Sequence, residues 1–163
     1  MAIQAFAELN CSIAHPLSFL GERWSILVLR DLFLGRRRFD EIQESLGVAT
    51  NVLSQRLATL VDEGIVERRP YSEHPERFEY RLTEKGKDLQ PVLLALLRWG
   101  DRYTAGPEGA PLETVHADCG KSFHMVPTCS ECGGVVEPAN VTNRPGPGAN
   151  EEQRRRYAER RAA

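Results

Sequence analysis

Apolar residues recur at three- and four-residue spacing through most of the first hundred positions, and the period breaks only once. Pro16 is suited to open a helix, and Leu17, Leu20, Trp24, Leu27 and Val28 follow at helical spacing. The pattern predicts one helix over residues 16–34, with Gly35 as its stop. Phe39, Ile42 and Leu46 predict a short second helix closed by Gly47, and Leu53, Leu57, Leu60 and Val61 a third ended by Gly64. Residues 65–71 and 78–82 then read as strands around a polar loop containing His74-Pro75. Thr83 is a good N-cap for a last helix over residues 84–103, in which Gly86 weakens the first turn and Pro91 introduces a bend.

Three short helices followed by a two-stranded hairpin are the order of a winged helix-turn-helix. The fold class expected is mainly α with a small β wing, plus a small zinc-ribbon-like module at the C-terminal end. The boundaries follow from composition. Residues 1–104 form the winged helix domain for DNA binding and dimerisation, residues 112–141 the module, and residues 142–163 a flexible charged tail. A chain of 163 residues is long enough for one real core and a satellite.

Formal charge is −2 overall: −1 over residues 1–104, −3 over 105–150 and +2 beyond. Bulk charge therefore does not attract nucleic acid, and any such surface must come from clustered arginines. No basic segment followed by an apolar run begins the chain, and arginines interrupt the longest apolar stretches, so neither a secretory signal nor a membrane span is expected. Three of the four cysteines sit at metal-like spacing, which favours thiolates in a reducing cytoplasm over disulfides.

On a helical wheel the third helix buries its leucines and turns Asn51, Ser54, Gln55, Ala58 and Thr59 outward, with Arg56 on the flank. Short amides and hydroxyls of this kind read base edges in the major groove, whereas a merely solvated face more often carries lysine and glutamate. Arg36, Arg37 and Arg38 lie in the turn before the second helix. Arg68, Arg69, Arg77 and Arg81 lie in or beside the hairpin, with His74 at its tip. Cations in those places meet phosphates; the alternative is a solvated turn and ordinary strand edges. The last helix, with leucines on several faces, is too apolar for a small domain alone and implies a two-fold partner; the alternative is a self-contained globular helix that covers the monomer's own core.

From Cys11 to Tyr103 the chain resembles the HxlR family of bacterial transcriptional regulators, a branch of the MarR-like winged helices. The resemblance rests on Cys11, on Gly21-Glu22-Arg23-Trp24-Ser25-Ile26-Leu27-Val28-Leu29-Arg30 and on Gly35-x2-Arg38-Phe39-Asp40-Glu41-Ile42. Leu53-Ser54-Gln55-Arg56-Leu57-x2-Leu60-x2-Glu63-Gly64-Ile65-Val66 and Tyr80-x-Leu82-Thr83-x2-Gly86-x2-Leu89 complete it. It implies a homodimer, joined through the terminal helices, on near-palindromic promoter DNA. Ala49 departs from the serine or threonine that often caps the recognition helix in such proteins. Either that cap is lost, or Thr50 caps the helix and leaves the base-reading face. Some relatives sense oxidants or electrophiles through a cysteine at the position of Cys11; the alternative is a cysteine buried beside Phe6, Leu9 and Ile13.

His116-x2-Cys119-Gly120 and Cys129-x2-Cys132-Gly133 form two matching half-sites separated by nine residues. Four such donors, each pair followed by a glycine that permits a tight knuckle, suit a structural Zn²⁺ with no open position. Residue 115 and residues 123–126 and 135–136 are expected as short strands around it. His124 in place of His116, three thiolates with a water, iron, or three free thiols are the alternatives. Nothing matches a phosphate loop, a nucleophile elbow or a dinucleotide fingerprint, so no enzyme is expected. The leading expectation is a cytoplasmic, homodimeric regulator that binds double-stranded DNA and responds to an oxidant or small-molecule effector. The second is a zinc-stabilised protein-interaction module that uses a degenerate winged helix to dimerise.

Overall fold

The computed structural model describes residue 6 and residues 9–162. Helices α1 (Ala14–Leu20), α2 (Ser25–Phe33), α3 (Phe39–Leu46) and α4 (Thr50–Asp62) precede the hairpin of β1 (Val66–Glu73) and β2 (Glu76–Leu82). Next come α5 (Glu84–Lys87), α6 (Gln90–Tyr103), the strand pair β3 (Val115–His116) and β4 (Lys121–Ser122), a 3-10 turn (Pro138–Asn140) and α7 (Glu151–Ala162). Among the described residues no helix is long and apolar enough to cross a membrane.

The core is built around α2. Val28 and Leu29 are fully buried there against Ile42 of α3, Leu53, Leu57 and Leu60 of α4, and Ile65 and Val66 at the start of the wing. Leucines three and four apart in α4 share one stripe, and burying each contributes about 2 kcal/mol relative to leaving it in water. Packing that stripe inward forces the opposite stripe outward. Buried Asp31 lies beneath the turn before α3: its Oδ1 accepts from Arg30 Nε at 3.0 Å and Nη2 at 2.7 Å, and Arg36 Nη1 stands 3.6 Å away.

Two predicted helices are each divided. The helix expected over residues 16–34 stops at Gly21, whose N–H bonds to Leu17 O at 3.0 Å, and restarts at buried Ser25. Both halves bury a face on the same core, so the apolar spacing runs on across the break. The helix expected over residues 84–103 breaks before Gln90. Pro91 does not bend a continuous helix; without an N–H it is placed in the first turn of α6.

Gly86 has a role beyond weakening a turn. Thr83 caps α5 as predicted, its Oγ1 accepting from Gly86 N–H at 3.1 Å, while Thr83 N–H donates to Ile65 O at 3.0 Å. This draws α5 onto the start of the wing so closely that a Cβ on residue 86 would lie 2.2 Å from Ile65 O. Both wing strands are longer than expected, so the predicted six-residue loop shrinks to the His74-Pro75 turn. The register shifts between Pro70 and Ser72, where Pro70 has no N–H to give the ladder.

The charged tail, for which the sequence leaves both a frayed helix and disorder open, forms α7. Asn150 Oδ1 accepts from Gln153 N–H at 2.9 Å, and Gln153 Oε1 accepts from Asn150 N–H at 3.0 Å. This is a reciprocal cap. Glu152 pairs with Arg156 one turn on, and Gln153 also exchanges hydrogen bonds with Asn10, at 2.7 Å in both directions.

Candidate nucleic-acid interface

The outward stripe of α4 is where the expected readers stand. Asn51, Ser54 and Gln55 are exposed, as is Ala58, and no side-chain hydrogen bond engages Asn51, Ser54 or Gln55 among the described residues. Their donors and acceptors are free. The N-cap is Ala49, with no side-chain cap. Thr50 already lies inside the helix, and its Oγ1 accepts from Gln43 Nε2 at 2.8 Å. Gln43 also reaches Val48 O at 3.3 Å, so this α3 side chain holds the turn that an N-cap hydroxyl would otherwise hold. Its position three residues after Asp40, in an amphipathic helix, gave no signal of that role. Thr59 is half-buried and its hydroxyl donates back to Gln55 O at 3.0 Å.

Arg56 departs from expectation. Its side chain is only 11% exposed, and Nη1 lies 2.9 Å from Glu22 Oε2. The flank position that suggested a DNA contact places it over the α1–α2 turn, where a carboxylate takes it. It ties the recognition helix to the scaffold.

The arginine turn is fixed from two sides. The Glu41 carboxylate of α3 accepts from the backbone N–H of Arg37 at 2.9 Å and of Arg38 at 3.0 Å. The Arg37 and then the Arg38 N–H hold that carboxyl below the ordinary glutamate range, with smaller help from the Arg38 and Arg36 charges. From the other side, Tyr80 N–H donates to Arg37 O at 2.7 Å and Arg38 makes an antiparallel bridge to Glu79, a third edge on the hairpin. The Arg38 guanidinium lies 4.9 Å from the Tyr71 ring centre. Arg37 and Arg38 are exposed, whereas Arg36 is half-buried toward Asp31.

In the wing, charge is more balanced than arginine content alone implied. Arg69 pairs with Glu67 at 2.6 Å and Arg81 with Glu79 at 2.7 Å. Arg68 stacks on Phe78, 3.4 Å from the ring centre. Arg77, exposed beside the tip, makes no ion pair among the described residues, and His74 is exposed in the turn. Among the described residues Arg37, Arg38, Arg68 and Arg77 are exposed and make no ion pair.

The C-terminal module forms both knuckles but not a shared shell of donors. Gly120 N–H bonds to His116 O at 2.8 Å and Gly133 N–H to Cys129 O at 2.9 Å, with both glycines at positive φ, 66° and 70°. Only glycine takes that conformation without strain. Cys129 receives the N–H of Cys132, then that of Glu131, then the Cys132 thiol, which together lower its pKa. His116 instead packs edge-on against Phe123 and points its Nε2 toward Asp118 Oδ2 at 3.9 Å. Among the described residues no group of three or more His, Cys, Asp or Glu side chains is arranged to hold a metal ion. The expected zinc-ribbon architecture is corrected accordingly. The strands also differ, because β3 pairs with β4 inside the first half-site and residues 123–126 are not a strand. The second half-site closes through a Thr128–Val135 bridge.

Cys11 is exposed rather than packed beside Leu9 and Ile13, which are themselves exposed. The Ala14 N–H and then the Ile13 N–H lower its thiol pKa.

An outward polar helix, an arginine turn and a wing on one scaffold define a DNA-binding winged helix-turn-helix. The chain belongs to the HxlR-like helix-turn-helix family, whose model matches residues 19–107. An HTH-type transcriptional regulator of Mycobacterium tuberculosis is 44% identical over 137 residues, covering 84% of this chain and 87% of its own. The crystal structure of PA1607, described as a transcription factor candidate, superposes with a TM-score of 0.77 at 34% identity, covering 86% of this chain and 98% of that one. The redox regulator HypR in its oxidised form superposes at 0.54 and 29% identity over 59% of this chain and all of its own. The protein is a transcriptional regulator of this family.

Proposed function

We propose that the protein is a cytoplasmic regulator that binds double-stranded promoter DNA as a homodimer on near-palindromic sites. Asn51, Ser54 and Gln55 read base edges in the major groove, with Thr50 at the helix entrance. Arg37, Arg38 and Arg77 hold phosphates; Arg36, Arg68, Arg69 and His74 shape the surface around them. The observation that carries this reading is the α4 stripe: three unpaired polar side chains on a helix whose opposite face is fully buried. Two apolar stripes support the dimer: Leu9, Ile13 and Leu17 at the start, and Val92, Leu96, Trp99 and Tyr103 along α6, the latter all more than half exposed. Exposed Cys11, with its lowered thiol pKa and the chain's similarity to a redox regulator, supports a response to oxidants.

Selection from a random DNA library, followed by titration at several salt concentrations, tests the reading. An enriched palindrome is expected. Gln55→Ala should relax base preference, while Arg77→Ala should weaken binding to every site and lower the salt slope by about one. Absence of an enriched sequence, with weak salt-sensitive binding to any duplex, overturns it. The paired knuckles, with amide donors on Cys129, also support a structural Zn²⁺ that gathers His116, Cys119, Cys129 and Cys132. Metal analysis of the reduced protein decides, and less than about half an atom per chain refutes zinc binding.

A further inference from the structure

A groove of about 580 Å³ separates α7 from the segment before α1, with residues 143–149 as its third side. Gln153, Arg156, Tyr157 and Arg160 line it at three- and four-residue spacing, which is one face of α7. Asn10 and Ser12 line the opposite wall. None of the apolar residues assigned above to the dimer takes part.

The acceptors around this groove are already used. Arg154 donates to the carbonyl of Ala149 at 3.2 Å and to those of Gly146 and Pro147 at 3.3 Å, and Asn10 Nδ2 donates to Gly148 O at 2.9 Å. Gln153 Nε2 donates to Asn10 O at 2.7 Å, and Gln153 Oε1 accepts from Asn10 Nδ2 and from the Asn150 N–H. Four consecutive loop carbonyls and both residues of the clasp therefore have partners.

Donors are left over. Arg144 and Arg160 are exposed and make no ion pair among the described residues, while Arg156 gives one nitrogen to Glu152. The Tyr157 and Ser12 hydroxyls face the same groove. No carboxylate lines it among the described residues, so the charges of Arg144 and Arg160 are uncompensated at the site. Guanidinium forks match the oxygens of a phosphate.

Two uncompensated charges balance a phosphomonoester, which carries about two negative charges at neutral pH, better than a diester with one. The volume falls in the range of small-molecule sites and leaves room for an organic body beside half-buried Tyr157 and Pro145. A DNA duplex offers only diesters, on a convex surface that meets the rim of a groove and not its walls.

We propose that the groove between α7 and the N-terminal segment binds a small phosphomonoester, with the phosphate held by Arg144 and Arg160.

Calorimetric titration of the full chain, without DNA, tests this with phenyl phosphate, methyl phenyl phosphate and benzylammonium. Low ionic strength and a pH of about 7.5, above the second ionisation of the monoester near 6, are required. Binding in this assay does not depend on the DNA reading. Saturable uptake of one phenyl phosphate per chain is expected. The diester should bind at least about fivefold more weakly, and benzylammonium not at all. Arg144→Gln and Arg160→Gln should each weaken phenyl phosphate binding at least about fivefold, and Asn143→Glu, which puts a carboxylate in the wall, should abolish it. Arg161→Gln makes the same charge change outside the groove and should leave binding unchanged. All four side chains are exposed, and circular dichroism establishes that the variants remain folded. Lack of saturable uptake, equal affinity for monoester and diester, or an equal loss in Arg161→Gln overturns the proposal. So does displacement of phenyl phosphate by duplex DNA together with a lower salt slope of DNA binding in Arg144→Gln, which would make the groove a contact to the nucleic-acid backbone.

Discussion

Gly86→Ala is the substitution for which structure and helix propensity disagree in sign. By propensity, alanine in a helical turn gains about 1 kcal/mol over glycine. Here the new Cβ would stand 2.2 Å from Ile65 O and 3.2 Å from the Leu82 side chain. The first contact is with backbone, so no rotamer change relieves it, and α5 must separate from the wing by most of an ångström. That movement strains the bond from Thr83 N–H to Ile65 O and the Thr83 hydroxyl bonds to Gly64 O at 2.7 Å and Ile65 O at 3.1 Å. Overpacking costs about 1–3 kcal/mol and a weakened buried hydrogen bond about 1 more. After the propensity gain, a net loss of about 1–3 kcal/mol is expected. The matched control is Gly100→Ala in α6, where the nearest atom is Thr104 Oγ1 at an ordinary 3.6 Å. There the same change should stabilise by about 0.5–1 kcal/mol. Urea and thermal unfolding of both variants, at one fixed protomer concentration because a dimer's melting depends on it, provide the assay. If Gly86→Ala matches or exceeds the wild type, the close approach of α5 to the wing does not exist as described.

Three further outcomes are expected. Because backbone amides hold the Glu41 carboxyl below its ordinary range, its stabilisation is complete above the unfolded value of about 4.3 and fades as pH falls through the lower folded value. Glu41→Gln should therefore be less stable than the wild type at neutral pH, and the gap should close in acid; a gap that does not depend on pH would contradict this. A double-mutant cycle on Arg56 and Glu22 should return a coupling of about 0.5–1 kcal/mol, kept small by the half-exposed Glu22, and a coupling near zero would remove the brace. Trp99→Glu with Ile13→Glu should leave a folded chain that sediments as a monomer, since both side chains are already more than half exposed; an unchanged dimer would place the interface elsewhere.

Much of the interface was legible because α4 is amphipathic. Leucines at 53, 57 and 60 commit one face to the core, and geometry then presents Asn51, Ser54 and Gln55 on the other. Arg56 was misread because helical spacing gives a side chain's direction but not the partner it meets; Glu22 is 34 positions away in the chain and adjacent only after folding. Gln43 passed unnoticed for the same reason, being an unremarkable polar residue until Thr50 and Val48 are brought to it. The α7 helix did carry a local signal, Asn150 three residues before Gln153, followed by acidic-to-basic pairs, which the run of charge obscured.

Local pattern alone settled the helices and hairpin of the winged domain in outline, which faces of them turn inward, and the glycine that follows each half-site of the module. These properties depend on neighbours within a turn or two, where spacing and backbone preference suffice. Folding decided which arginines are ion-paired and why residue 86 has no side chain. Charge pairing and close approach are relations between segments far apart in the chain, and they exist only when packing has set the distances.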